Sequence, residues 1–296
     1  MDLDLRKLRY FVAVAQELHF GRAAEQLHIA QPVLSRQIRA LEGELRVQLF
    51  DRDHRSTELT AAGRQLLDDA VGLLAAAEAT CRRVRQAADS RPRFAIGFMP
   101  GITVTATVRA LTSRHPELVV NVVRTSWDDQ IQVVHDGRVD VSIIRLPVDR
   151  RGLTLRPLFS EPRVAVLPSG HRLAGKSSVG IDDLADEPLL QHPDAVPEWR
   201  DLPGRPSDES AQQPPDFHSV EEKLEHVAAG EGVIVLPQST TTYYTRPDIA
   251  YVPIEDIGPN QVCLAWSSAR RSPLIDEVAD LAEAQYALHA TITDQP

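Results

Sequence analysis

The chain has 296 residues, 43% of them hydrophobic, and 32 Lys and Arg against 42 Asp and Glu give it a formal net charge of -10. That length and apolar content suffice for two or more domains with their own cores. No apolar run is long enough to span a bilayer and no charged-then-apolar leader stands at the start, so a cytoplasmic protein without membrane contact is expected. Two widely separated cysteines, Cys81 and Cys263, suggest neither a disulfide framework nor a clustered metal site. Cys81 reads as a small core residue of a helix. The acidity is uneven. Residues 1–58 hold nine Lys/Arg and nine Asp/Glu, so the whole deficit lies in residues 59–296.

Leu5, Leu8, Val12 and Ala15 predict the apolar stripe of a first helix. From Gly21 to Arg52 the run GRAAEQLHIAQPVLSRQIRALEGELRVQLFDR reads as two helices joined by a tight turn. Ala23, Ala24 and Leu27 face inward from the shorter one, and Gln31-Pro32 opens the longer, where proline presets the backbone dihedral. Leu34, Ile38, Leu41 and Leu45 then recur at i, i+4, i+7 and i+11 and form a buried stripe. Gln31, Pro32, Ser35, Arg36 and Arg39 fall on another arc. Arginine grips guanine at two points or clamps a phosphate, glutamine suits adenine, and serine permits close approach to a groove wall, so this arc fits a DNA-reading helix as well as an ordinary solvated face. Phe50 to Thr60 follows as a short, charged, turn-like segment resembling a wing.

Thr60 to Asp89 carries one long helical pattern, with Leu66, Ala70, Leu73, Ala77 and Val84 on one face and Leu67, Val71 and Leu74 alongside. A rod of about 45 Å is too long to be buried by its own small domain, so a partner chain is expected to cover it. Ser90-Arg91-Pro92-Arg93 breaks the helix and reads as a hinge.

Beyond Phe94, strand-like and helical patterns alternate: FAIGF, a helix from about Thr103 to Arg114, LVVNVVR, a helix around Asp129 to His135, and VDVSIIR. RVAVLP, the Asp182 to Leu184 region, PLLQH, a helix from Val220 to Ala229 and VIVLP make a second set. The chain then returns to the first set through VCLAWS and a final helix from Pro273 to about His289. This predicts a mainly parallel α/β sheet arranged as two lobes about a cleft, as in periplasmic solute-binding proteins. Asp194 to Pro215, rich in Pro, Asp, Ser and Gln, reads as a mobile insertion, with Trp199 anchoring it or lining the cleft.

Ligands in such folds sit beyond the carboxyl ends of strands and near helix amino termini. That rule points to Pro100, Gly101, Ile102 and Thr103 after the first strand, Thr125 and Ser126 after the second, and Arg145 and Leu146 after the third. Gln191, His192, His218, Ser219 and Val220 come from the other lobe. Helix amino termini and Arg145 favour a small carboxylate or another anion, although Thr103 and Ser219 also fit as helix caps and Arg145 as a structural ion pair. Gly170 to Ser177 matches the phosphate-loop spacing G-x-x-x-x-G-K-S. Its continuation, SVGIDD, lacks the sustained helix that phosphate binding requires, and neither HExxH nor GxSxG occurs, so no enzyme, cofactor or metal is expected.

The order of LRYFVAVAQELHFGRAAEQLHIAQPVLSRQIRALEGELRVQLFDR and LTAAGR closely resembles the amino-terminal domain of LysR-type transcriptional regulators, and GRVDVSIIR and VAAGEGVIVLP are similar to later phrases of that family. The resemblance implies a multidomain α+β chain: a winged helix-turn-helix over 1–59, a linker and dimerisation helix over 60–89, a hinge at 90–93 and a two-lobed effector domain over 94–296. Lobe I would cover about 94–161 and 267–296, and lobe II about 162–266. By resemblance, Gln31, Pro32, Ser35 and Arg36 contact groove and backbone, Arg52 and Arg55 lie on the wing, and Arg22 lies near the start of the shorter helix; Thr103, Ser126 and Ser219 occupy effector-binding zones. The implied partners are double-stranded DNA, a small-molecule effector, further copies of the chain as a homodimer or homotetramer, and RNA polymerase. Two departures stand out: Gly21 where the family often has a Ser or Thr cap, and Arg46 where it often has glycine.

Overall fold

The computed structural model of the chain describes residues 3–52, 57–88, 91–203, 217 and 219–293, which divide into two compact units, the first running to Ala88 and including the short segment His135–Gly137, the second holding the rest. The first unit opens with α1, Leu5–Glu17, whose N-cap Asp4 accepts the Arg6 amide. The face it buries is Leu8, Phe11, Val14 and Ala15; Leu5 is exposed and Val12 half-buried, so the stripe shares Leu8 and Ala15 with the expected one but is centred nearer Phe11. α2, Phe20–Gln26, is capped by the His19 ring, whose Nδ1 accepts the Arg22 amide at 3.1 Å. Gly21 therefore lies inside the helix rather than at its cap, and a Cβ there would stand 2.9 Å from the His19 ring.

α3, Gln31–Leu45, buries Leu34, Ile38 and Leu41 as its periodicity requires. Its C-cap, Arg46, sits in the left-handed region at φ 57°, the conformation that glycine adopts without strain. Glu42 then accepts the amides of Leu49 and Phe50 at 3.0 and 3.3 Å and leads the chain into the wing. The wing is an antiparallel pair, β1, Phe50–Arg52, and β2, Thr57–Leu59, with Phe50 opposite Leu59. Phe50 packs on Phe11 and Phe20 with ring centroids 5.4 and 5.7 Å apart, contacts that contribute roughly 0.5–1.5 kcal/mol each beyond area burial.

α4, Ala61–Ala87, starts at the LTAAGR phrase, and the structure explains the phrase. Thr60 Oγ1 donates to the Gln48 and Leu49 carbonyls and accepts the Gly63 amide, tying the helix start to the wing. Gly63 is obligatory there, since a Cβ would lie 2.1 Å from the Leu49 carbonyl oxygen. Along the helix Ala70, Ala75 and Ala79 are buried, while Leu73 and Val84, on the face expected to meet a partner chain, are 47% and 67% exposed in the single chain. Cys81 is exposed too, contrary to the core role its sequence context suggests; Cys263 is the buried thiol, and burial pushes its pKa up.

The second unit contains, in chain order, β3 (Arg93–Phe98), α5 (Thr105–Arg114), β4 (Val119–Arg124), α6 (Gln132–His135), β5 (Val141–Arg145), β6 (Leu153–Glu161) and β7 (Arg163–Pro168). There follow α7 (Pro197–Arg200), α8 (Val220–Ala228), β8 (Ile234–Pro237), α9 (Gln238–Thr241), β9 (Ile249–Pro253), β10 (Asn260–Ser267) and α10 (Pro273–Thr293). One sheet has the order β4-β3-β5-β10-β6; β3 runs parallel to β4 and β5, but β10 is antiparallel to both β5 and β6. The other, β8-β7-β9, is antiparallel throughout. A mainly parallel sheet is thus incorrect. Alternation of strands and helices suggested it, but β10 returns antiparallel between β5 and β6, and the second sheet has no parallel pair. PLLQH likewise forms one isolated bridge, Leu189 to Val233, rather than a strand.

Because β10 belongs to the first sheet, the chain re-enters lobe I at Asn260 and not near 267. Phe94, Ile96, Val141, Ile143, Val262 and Leu264 form the inner face of that sheet, packed against Leu111 of α5 and Ile275, Val278 and Ala279 of α10. In lobe II, Ala165, Leu167, Val233, Val235 and Val252 are closed by Trp199, whose Nε1 donates to the Leu184 carbonyl at 3.2 Å. Trp199 anchors its segment in this core; residues 204–216 lie outside the described residues. No helix among the described residues is long and apolar enough to cross a membrane.

Candidate functional site

On α3 the arc formed by Gln31, Pro32, Ser35, Arg36 and Arg39 spans about 140° at 100° per residue and stands clear of the buried stripe. Gln31, Pro32, Arg36 and Arg39 are exposed and Ser35 is half-buried. Neither Arg36 nor Arg39 makes an ion pair among the described residues, although Glu42 and Glu44 lie on the same helix. Two guanidinium groups kept free on a narrow helical face, with glutamine and serine beside them, present the donors that base edges and phosphates accept. Arg22 differs: its Nε donates to Glu17 at 2.8 Å and its Nη2 to the Glu17 carbonyl at 2.6 Å, so it braces α1 against α2. Arg52 ends β1, its side chain outside the described residues, as is Arg55 altogether.

A cavity of about 380 Å³ lies between the two lobes of the second unit. Its apolar walls include Met99, Trp127, Phe217, Val235 and Leu236, and its polar groups include Thr125, Asp128, Lys223 and Asn260. The lobes meet across it where Arg124, ending β4, pairs with Glu221 of α8 at 3.1 Å, and Tyr244 donates to the same carboxylate at 3.1 Å. Burial would raise the Glu221 pKa, but its own backbone amide, Tyr244 and Arg124 together hold it below the usual carboxylate value. Deeper in, Arg145 is nearly inaccessible: Nε donates to Glu161 at 3.2 Å, Nη1 to the Pro100 carbonyl at 2.8 Å and Nη2 to Ser239 Oγ at 3.0 Å. Burial lowers the Arg145 pKa and Glu161 opposes the shift; the pair joins a lobe I strand to α9 of lobe II. Against this well-bonded frame, Thr125 Oγ1 and Asn260 Oδ1 are buried without a hydrogen-bond partner among the described residues.

Comparison with known proteins identifies both units. A model described as the bacterial regulatory helix-turn-helix protein, lysR family, matches residues 5–64, and one described as the LysR substrate binding domain matches residues 87–287. The chain belongs to the LysR family. It is 34% identical to the probable cat1 operon transcriptional activator of Acinetobacter lwoffii over 304 residues, covering 99% of each chain. With the Hca operon transcriptional activator HcaR of Escherichia coli K12 it is 38% identical over 196 residues, 63% of this chain and 66% of that protein. Among solved structures, a full-length OxyR variant from Pseudomonas aeruginosa is 28% identical with a TM-score of 0.51, covering 95% of this chain and all (100%) of that one. The protein is accordingly a DNA-binding transcriptional regulator of the LysR family with a carboxyl-terminal effector-binding domain, and not an enzyme.

In this LysR-family chain the cavity gathers Pro100, Thr125, Ser126, Arg145, Gln191, His192, Ser219 and Val220 of the residues expected from sequence. Most of their polar atoms are already engaged. Ser126 Oγ donates to Asp129, Gln191 Oε1 accepts the Val235 amide, His192 Nδ1 accepts the Asp194 amide and Ser219 Oγ caps α8 by accepting the Glu222 amide. Four expected residues do not line the cavity. Ile102 is turned into the lobe I core and Thr103 accepts Gln285 and Tyr286 through its carbonyl, so the strand-end rule holds no further than Pro100. Gly101, at φ 82°, lies close under Thr240, and Leu146 packs with Ile144 and Cys263. His218 lies outside the described residues. Missed from sequence were, among others, Trp127, Asp128, Arg163, Phe217, Lys223 and Asn260; Lys223, on a helix with Glu221, Glu222 and Glu225, reads as part of a solvated charge cluster. The phosphate-loop spacing at Gly170 to Ser177 folds as successive turns, with Lys176 paired to Asp183 at 3.4 Å instead of opening a helix.

Proposed function

We propose that Gln31, Pro32, Ser35, Arg36 and Arg39, with the wing arginines Arg52 and Arg55, contact operator DNA, and that the cavity binds a small organic anion which alters transcription of the target genes. The observation that carries the DNA reading is the pair of exposed arginines, Arg36 and Arg39, without ion-pair partners among the described residues. Arg22, bonded to Glu17, supports the placement of α2 and reaches DNA only through its remaining donors. Around the cavity, Pro100, Thr125, Ser126, Gln191, His192, Ser219 and Val220 form the effector wall, and Arg145 holds the lobes in place behind it.

The regulator works in the cytoplasm as a homodimer or homotetramer. Exposed Leu73 and Val84 on α4 support self-association along that helix. Two reading helices then meet half-sites one turn, about 34 Å, or a multiple of it apart. Because the whole protein is acidic, a single DNA-binding unit has modest phosphate affinity and pairing multiplies it. Effector binding shifts the population of lobe arrangements and, through assembly geometry, DNA bending and contact with RNA polymerase. The test is sequencing of DNA co-purified with the protein, followed by footprinting and bend analysis at the recovered sites with and without candidate anions. Sharp peaks and an altered footprint are expected; absence of enrichment at moderate salt would overturn the DNA reading, and an unaltered footprint and bend would overturn the mechanism.

A further inference from the structure

Two polar groups from opposite lobes line the cavity with no hydrogen-bond partner among the described residues. Thr125, directly after β4 in lobe I, is only 2% exposed, and its Oγ1 is unpartnered. Lys223, in α8 of lobe II, is half-buried, lines the same cavity and makes no hydrogen bond through Nζ among the described residues. Their elements are held face to face by the Arg124–Glu221 pair, which joins the residue before Thr125 to the first turn of α8. Burying a hydroxyl unbonded, and partly withdrawing an ammonium from water, costs free energy that a ligand can return.

We infer that Lys223 and Thr125 together anchor the acid group of the effector, and that the exposed Asp128 of lobe I competes with that group for Lys223. This rests on the reading of the cavity as the effector site and names its specificity determinant. The surroundings select the ligand's chemistry. A carboxylate accepts hydrogen bonds from both the ammonium and the hydroxyl and brings a full negative charge to the ammonium, whereas a carboxamide, which can accept from one and donate to the other, brings no charge. Trp127, Phe217, Met99 and Leu236 supply apolar walls for the rest of the molecule, so the class is a small carboxylate with an apolar body. Asp128 lines the same space, and its negative charge, with that of Glu222, favours the protonated amine against the burial that lowers the Lys223 pKa. Asp128 therefore stands in for the ligand's charge while the cavity is empty and opposes the ligand when it arrives.

The two roles predict opposite effects. Binding of benzoate against benzamide, and of hexanoate against hexanamide, is measured by calorimetry on the full-length protein and on three variants. Each acid is expected to bind at least about tenfold more tightly than its amide. Lys223→Met should erase that preference, Thr125→Val should reduce it, and Asp128→Asn should tighten the acids while leaving the amides unchanged. Equal affinity for acid and amide, a preference that survives Lys223→Met, or weaker acid binding in Asp128→Asn would each overturn the assignment. Binding of none of the four compounds would also overturn it. Amides binding as well as acids would leave the cavity standing as the effector site and remove only the anchor, and the DNA reading is decided separately by the footprint.

Discussion

The reading face of α3 and the wall of the cavity both present polar groups without partners, but under opposite solvent conditions. Arg36 and Arg39 are exposed, so water solvates them and their lack of an ion pair costs little. Thr125 and Lys223 are wholly or partly withdrawn from water, so the same lack of partners is a standing cost in the empty protein. An exposed unpaired charge is a permanent attractor that acts at long range and weakens with salt. A buried unpaired group does nothing at long range. It discriminates, because only a ligand of matching chemistry relieves its cost.

The largest way to break the first region is through its frame rather than its arginines. Gly63→Ala places a Cβ against the Leu49 carbonyl, and a backbone shift there is expected to cost about 2–4 kcal/mol, read as a lower urea midpoint for the DNA-binding unit. An unchanged midpoint would mean that the wing and α4 move apart freely. Next, Arg36→Ala should weaken operator binding by about 1–3 kcal/mol if Arg36 reads a base. Equal losses on every DNA sequence would assign it to phosphate, and the salt slope would fall by about one.

The second region is sharpened by Thr125→Val. Removing an unbonded hydroxyl without changing the side chain's shape should stabilise the empty protein by about 1 kcal/mol, the reverse of an ordinary buried threonine. Loss of stability would show that Oγ1 has a partner in solution. The smallest effect belongs to Arg46→Gly. Relief of the left-handed strain at the end of α3 should raise stability by roughly 0.5–1 kcal/mol, visible as a melting temperature a few degrees higher with DNA affinity unchanged.

The two regions also differ in how far they can be read from sequence. The α3 face is a single contiguous run in which a 3.6-residue period alone separates buried Leu34, Ile38 and Leu41 from exposed Gln31, Arg36 and Arg39. The cavity gathers side chains from Met99 to Asn260, and its membership depends on which strands are neighbours. A strand-end rule locates Thr125 and Ser126 but cannot tell that Ile102 points into the core or that the Thr103 carbonyl serves α10. Lys223 was invisible for a different reason. On a helix with Glu221, Glu222 and Glu225 nearby it reads as one member of a solvated charge cluster, and only tertiary placement shows that it faces the cavity. On α4 the period is legible, but which positions the chain covers by itself is not: small Ala70, Ala75 and Ala79 are buried within the chain, while Leu73 and Val84, read as partner-facing, stay exposed.

Thiol accessibility gives the long helix a practical use. Cys81 on α4 is exposed while Cys263 is buried with a raised pKa, so a maleimide spin label at neutral pH will modify one site per chain without mutagenesis. Dipolar spectroscopy on that single native label then measures the separation of the α4 helices in the assembled protein, free and on DNA, and turns subunit arrangement into a directly measured distance.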